Sequence, residues 1–177
     1  MKIKKAAAVL MLAALCLTGC SGSHDFRSGN WGDDPAAVDR REELEYLYAS
    51  DELVMYSGEA YGKNAEIYYV FDESGLCEGQ VKFLVGDWIL EDIIADYKET
   101  AAEMADEFGA PLNEDYRVWD TQSAEYEEHK GDTDIYAMYY KILEYRLEWD
   151  DGETLRSLTL NYRDEQINYL FDAAPKA

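Results

Sequence analysis

The residues that do most chemistry at neutral pH are scarce in this chain. It has two histidines, His24 and His129, and three cysteines, Cys16, Cys20 and Cys77. Nucleophilic hydrolysis needs a histidine that can take a proton from a serine or cysteine and pass it on. One histidine falls in a Ser/Gly-rich stretch and the other in an acidic loop, and no G-x-S-x-G turn is present. A zinc site built from His and Cys has no histidine pair at helical i, i+4 spacing to start from. Neither G-x-x-x-x-G-K-[ST] nor G-x-G-x-x-G occurs, so nucleotide binding has no support. No catalytic, cofactor-binding or metal-ligating residue is therefore assigned, and no cofactor is expected.

Carboxylates are the exception, because there are 38 Asp and Glu residues. A glycan hydrolase needs only two carboxyls about 5–10 Å apart in a cleft, one of them with a raised pKa. Most acids here fall on outward positions of helices and strands, which predicts a solvated face. Asp132-Thr133-Asp134 and Asp150-Asp151-Gly152 are the densest acidic spots. Neither fits a calcium loop with acids at alternate positions and a closing Glu.

Tyrosine is the other excess, at 15 against 5 phenylalanines. Tyr68, Tyr136 and Tyr140 fall on the strand parity opposite to the apolar set. Two explanations stand. A half-exposed sheet favours an amphipathic aromatic of high strand propensity. Alternatively, these three tyrosines form an interaction surface, since Tyr gives large contact area at low entropic cost.

The 177 residues carry a formal charge of −22. That surface repels phosphate, so nucleic acid is not an expected partner and a cationic ligand is. The length suits one domain that needs no disulfide staple.

The N-terminus predicts where the domain works. Lys2, Lys4 and Lys5 precede twelve uncharged, mostly apolar residues, 6–17. That is the length of a secretory h-region and too short to cross a bilayer. Leu17-Thr18-Gly19-Cys20 follows. It resembles the bacterial lipobox, which implies cleavage before Cys20 and diacylglycerol attachment to its sulfur. The expected organisation is a lipoprotein signal peptide at 1–19, a lipidated Cys20 with a flexible tether through 30, and one domain at 31–173, with ordered packing starting near Phe26 or Trp31. Loss of the signal removes three lysines and no acid, deepening the charge to −25 over 158 residues. The expected location is the outer face of the cell membrane, or the outer membrane of a cell that has two. Only Cys77 then remains as a thiol. Its parity with Val81, Phe83 and Val85 predicts a buried, inert side chain.

The elements that position these residues come from periodicity. Asp33-Asp34-Pro35 predicts a helix start, with Val38 inward, running to about Glu43. Strands are predicted at 52–57, 64–72 and 76–85, with Asp72-Glu73-Ser74-Gly75 as a hairpin turn. Leu90, Ile93, Ile94, Tyr97, Ala101, Met104 and Phe108 form one helical stripe, capped by Asp87 and ended by Gly109 and Pro111. Residues 116–120 suit a short strand, and 121–134 an exposed loop. Strands are predicted at 135–149, 154–163 and around 167–171, with 173–177 frayed. The fold class is α+β: an antiparallel sheet of about six to seven strands with two helices packed on one face. Both halves contain a strand, acidic-Gly turn, strand unit.

Phe26-Arg27-Ser28-Gly29-Asn30-Trp31-Gly32, with the helix start and Val38 after it, resembles a motif of small exported bacterial lipoproteins. The pattern of 65–71, turn, strand and a long helix ending Phe108-Gly109-Ala110-Pro111 is similar to the same group. The order of helix and antiparallel hairpins more distantly resembles the SmpA/OmlA lipoproteins and the β-lactamase inhibitor protein. The resemblance implies a binding module and supplies no catalytic residue. In it, Trp31 is an aromatic plug over the sheet and Gly32 a tight turn. The expected function is thus a membrane-anchored, extracytoplasmic binding or interaction module acting on an envelope protein or a cationic ligand. The alternatives are a carboxylate-dependent glycan hydrolase of the envelope and a non-specific structural lipoprotein.

Overall fold

A computed structural model describes residues 24–176. The signal segment, Cys16 and Cys20 lie outside the described residues. Eight strands form one antiparallel sheet: β1 Glu45–Ala49, β2 Leu53–Ala60, β3 Lys63–Asp72, β4 Gly75–Phe83, β5 Arg117–Trp119, β6 Leu143–Asp150, β7 Thr154–Arg163 and β8 Gln166–Pro175. Four helices accompany them: α1 Pro35–Asp39, α2 Leu90–Phe108, α3 Tyr126–His129 and α4 Asp134–Tyr139. The strand order is β1-β2-β3-β4-β8-β7-β6-β5. In each half a helix precedes four strands that run from the sheet's edge inward, and in the second half α3 and α4 lie between β5 and β6. The halves join where their last strands pair, Val81 opposite Phe171.

Alternation decides which face is covered. Ile67, Tyr69 and Phe71 of β3, Tyr145, Leu147 and Trp149 of β6, Leu158 and Leu160 of β7, and Tyr169 and Phe171 of β8 are buried on one face. α2 lies over them. Its buried stripe is Ile93, Ile94, Tyr97, Thr100 and Met104. Tyr97 donates to the Leu158 carbonyl at 3.0 Å, and Tyr169 donates to Thr100 Oγ1 at 2.6 Å. Phe108 stacks on Phe171 with centroids 5.8 Å apart. α1 joins the same face, burying Val38 and taking the Tyr56 hydroxyl on Asp39 Oδ1 at 3.0 Å. α4 joins it through Asp134, which accepts the Tyr145 hydroxyl. The other face of the sheet carries no helix among the described residues.

The strand count exceeds the six to seven read from sequence because β1 has no alternation to read: all five of its residues are exposed. α1 correspondingly stops at Asp39 rather than Glu43. Residues 134–139 are helix, not the start of a long strand, and Ala137 and Met138 are its buried pair. Within 121–134, α3 interrupts the expected loop. β8 runs on to Pro175, with Ala173 buried, so 173–175 is not frayed. The N-cap of α2 is Ile89, which makes no side-chain cap bond, and not Asp87. Its end is as expected, with Gly109 at φ 86°.

Cys77 is also displaced from its expected place. Phe71 pairs with Leu76 and Val70 with Glu78, so Cys77 is the extra residue of a β-bulge. The bulge flips parity, and Leu76, Val81 and Phe83 take the buried face while Cys77 is half-exposed.

Part of the stretch assigned to the tether is packed against the domain. Phe26 is 3% exposed and sits directly over Gly79 of β4, where an added Cβ would lie 2.2 Å from the ring. Gly32 and Gly75 touch backbone to backbone, and a Cβ on Gly75 would meet the Gly32 oxygen at 2.3 Å. Gly32 N–H donates to the Leu76 carbonyl at 2.9 Å, and Leu76 N–H to the Asp33 carbonyl at 2.8 Å. Trp31 Nε1 donates to the buried Thr154 hydroxyl at 2.9 Å. His24, in the stretch assigned to the tether, has Nδ1 3.0 Å from Asn30 Oδ1. Residues 25–34 therefore clasp the start of β4 and the start of β7.

Candidate functional site

The three tyrosines singled out by parity do not come together. Tyr68 is half-buried on the uncovered face, between Met55 of β2 and Gln80 of β4. Its hydroxyl donates to Glu66 at 2.5 Å, and burial together with that carboxylate pushes its pKa up to about 12. Tyr136 and Tyr140 belong to the α4 segment on the opposite face. That segment holds a different array. Tyr139 stacks on Tyr162 at 5.6 Å and meets Tyr140 edge-on at 5.7 Å. Tyr140 stacks on the His129 ring at 3.6 Å. Tyr136 and Tyr139 are each 60% exposed. α4 sets this up because its short apolar side, Ala137 and Met138, is fully buried and turns the tyrosines outward. Tyr139 and Tyr162 were missed because 135–142 reads as strand, which assigns Tyr136 and Tyr140 a common face and Tyr139 the other.

The array lies at the end of the sheet away from the clasp. Trp31 is fastened at Thr154, the first residue of β7, whereas Tyr139 covers Tyr162 near its last. Eight strand steps separate them, about 27 Å.

The uncovered face carries a groove of about 290 Å³ between β4, β8, β7 and β6. Glu78, Asp172 and Glu148 line it with Ser157, and Leu112 and Leu155 form its apolar wall. Asp172 sits opposite Gln80 across the strand pair and accepts from its Nε2 at 2.7 Å. Burial raises the Asp172 carboxyl above its usual range, more than Gln80 and Arg146 lower it. Glu78 is raised as well, by burial and then by the Asp172 charge. Both acids occupy outward parity, Glu78 in β4 and Asp172 in β8. Only the pairing of β4 with β8, a contact between residues about 90 apart, makes them neighbours.

The other polar clusters are already engaged. Asp150 accepts the Gly152 N–H at 2.8 Å and pairs with Lys176 at 2.5 Å. Asp151 accepts backbone N–H groups of Thr154 and Glu153 and pairs with Arg156 at 2.5 Å. Burial opposes ionisation of Asp151, but the Arg156 contact and those amides outweigh it and hold the carboxyl at about 2. Asp134 pairs with Arg117 at 3.2 Å. Glu125, Glu128 and His129 place donor atoms within 4.8 Å of one another at the surface. His129 Nδ1 is held there by Asp132 at 2.8 Å. Cys77 Sγ lies 3.4 Å from the Val70 carbonyl, and burial, Asp72 and Glu78 raise its pKa. A high-pKa thiol is a poor nucleophile.

Among the described residues, no helix is long and apolar enough to cross a membrane. No family model, curated protein or solved structure matches the chain.

Proposed function

We propose that the chain is a lipoprotein held at a membrane through Cys20, whose extracytoplasmic α+β domain is a binding module and not an enzyme. The observation that carries this is the position of the α4 tyrosines. They are exposed, mutually stacked and at the opposite end of the sheet from the clasp. A module tied down at one end offers the other end to a partner. Stacked tyrosines limit the entropy lost on binding, and exposed apolar area of this kind is uncommon without a role. An envelope protein with a basic contact surface is the partner whose charge suits a −25 domain.

Two measurements test the proposal. Full-length chain expressed in a bacterium should fractionate with membranes, and Cys20→Ser should release it. Cross-linking through a photoreactive group on Tyr139 should give a discrete adduct that is lost at high salt. Membrane-independent behaviour with intact Cys20, or no adduct, overturns it.

One observation favours a second function: Glu78 and Asp172 are paired carboxyls with raised pKa values in a groove. That is the arrangement a glycan hydrolase uses for its acid. Hydrolysis of cell-wall glycan that disappears in Glu78→Gln would establish it.

A further inference from the structure

We propose that the outer edge of β1 is an acceptor for an extended, basic polypeptide segment, which adds to the sheet as a ninth strand. β1 is the first strand in the sheet order, so among the described residues its outer row of backbone N–H and C=O groups faces no neighbouring strand. All five of its residues are exposed, and the three in the middle are large: Tyr46 at 55%, Leu47 at 45% and Tyr48 at 51%. Proteins ordinarily protect such an edge with lysine, proline or an inward charge. Glu45–Ala49 has no lysine or proline, and its one charge is Glu45 at its first position. Its one irregularity is the register shift between Tyr46 and Tyr48. The opposite edge of the sheet is managed differently. β5 has only three residues, and its Arg117 is paired with Asp134.

Charge selects the occupant. Glu43 and Glu45 precede the apolar centre, and Asp51 and Glu52 follow it, with no basic residue between 42 and 52. A second copy pairing antiparallel about Leu47 would set Glu43 against Asp51 and Glu42 against Glu52. Like charges directly opposite destabilise a strand pair, so self-pairing is disfavoured. A strand with Lys or Arg opposite those acids gains at each of them, and its backbone completes the free row of hydrogen bonds. The bulge turns Tyr46 to the helix-covered side, beside Tyr56, and Tyr48 to the uncovered side, beside Met55. An added strand therefore meets an aromatic ring on each of its faces.

The probe is a ten-residue peptide alternating lysine with valine, labelled at one end, mixed with the full-length chain in detergent. Three comparisons decide the matter: the same peptide N-methylated at alternate amides, its glutamate counterpart, and the chain with Tyr46→Lys and Tyr48→Lys. The lysine peptide should bind, with slowed hydrogen exchange confined to the β1 amides. N-methylation and the double substitution should each weaken it at least tenfold, and the glutamate peptide should not bind. Failure of the lysine peptide to bind overturns the proposal. So does equal binding of the N-methylated peptide, which would mean adhesion by charge alone. Concentration-dependent dimerisation lost in the double variant would assign the edge to a second copy and also overturn it. Tyr139→Ser should leave peptide binding unchanged, so this result stands apart from the α4 surface.

Discussion

Phe26 and Gly79 should behave as one unit in a double-mutant cycle. The Phe26 ring is 97% removed from solvent, and it also meets Tyr69 edge-on at 5.3 Å. Truncating a buried phenylalanine costs about 3–5 kcal/mol. The lower end applies because the ring comes from a terminal segment that can peel away without opening the sheet. Gly79→Ala taken alone has two opposed effects. The methyl group lowers the entropy lost by the strand, worth roughly 0.5–1 kcal/mol in its favour. It also lands 2.2, 2.3 and 2.5 Å from three Phe26 ring carbons. Carbon contacts settle at about 3.5–4.0 Å, so the ring must move by more than an ångström and lose most of its packing. A net loss of about 2 kcal/mol follows. With Phe26 already alanine, the obstacle is gone, and Gly79→Ala should be neutral or stabilise slightly. The predicted coupling is therefore about 2 kcal/mol, equivalent to roughly 4–8 °C in Tm for a chain this size. Urea unfolding of the four proteins, followed by tryptophan fluorescence, reads it directly. Additivity within about 0.5 kcal/mol would refute the idea that Gly79 is glycine because of Phe26.

Three other outcomes follow from particular contacts. Tyr97→Phe removes a buried donor from the Leu158 carbonyl and should cost about 1 kcal/mol in the same urea assay. Glu78→Gln should stabilise the protein at pH 7. The raised carboxyl of Glu78 means that its ionised form opposes folding above the folded pKa, and this opposition disappears below the unfolded value near 4.3. The difference between variant and wild type should therefore shrink to nothing as the pH approaches 4, and a pH-independent difference would contradict it. Cys77 should react with a maleimide more slowly than free glutathione at pH 7 and faster as pH rises, because burial, Asp72 and Glu78 all disfavour its thiolate.

What could be read from the sequence was whatever depends on local periodicity. The α2 stripe and the inward residues of β3, β6 and β7 repeat at 3.6 or 2.0 residues, the turns at 72–75 and 150–152 carry acidic-Gly turn chemistry, and none of these needs a distant partner to be recognised. β1 could not be read this way, because an edge strand exposed on both faces has no burial to imprint a pattern on it. The bulge at Cys77 was hidden because one inserted residue flips parity without changing composition. α4 was misjudged because Tyr136, Met138 and Tyr140 alternate like a strand, and tertiary packing of Ala137 and Met138 overrides that signal. The groove was illegible for a different reason: Glu78 and Asp172 meet only through a strand pair that closes the sheet between its two halves.

The clasp changes what anchoring at Cys20 would accomplish. Six steps of chain separate Cys20 from Phe26, and fully extended they reach about 20 Å. Had the chain stayed free up to Trp31, the reach would be nearly twice that, about 38 Å. Packing Phe26 on Gly79 would thus shorten the leash of such an anchor and define the point on the domain to which it is tied. That point is ringed by Asp33, Asp34, Asp72, Asp150 and Asp151, since the turns at 72–75 and 150–152 lie at the same end of the sheet. An anionic bilayer repels those carboxylates within a Debye length, about 8 Å at physiological salt. With such an anchor the short leash would hold this end near the bilayer, repulsion of its carboxylates would push it back, and the balance of the two would set the distance. The α4 tyrosines would then lie a further ~27 Å from the bilayer. With such an anchor, charge at the tied end would set the stand-off, and the α4 tyrosines would be presented at the other end among the acids of α3 and of the Asp164-Glu165 turn.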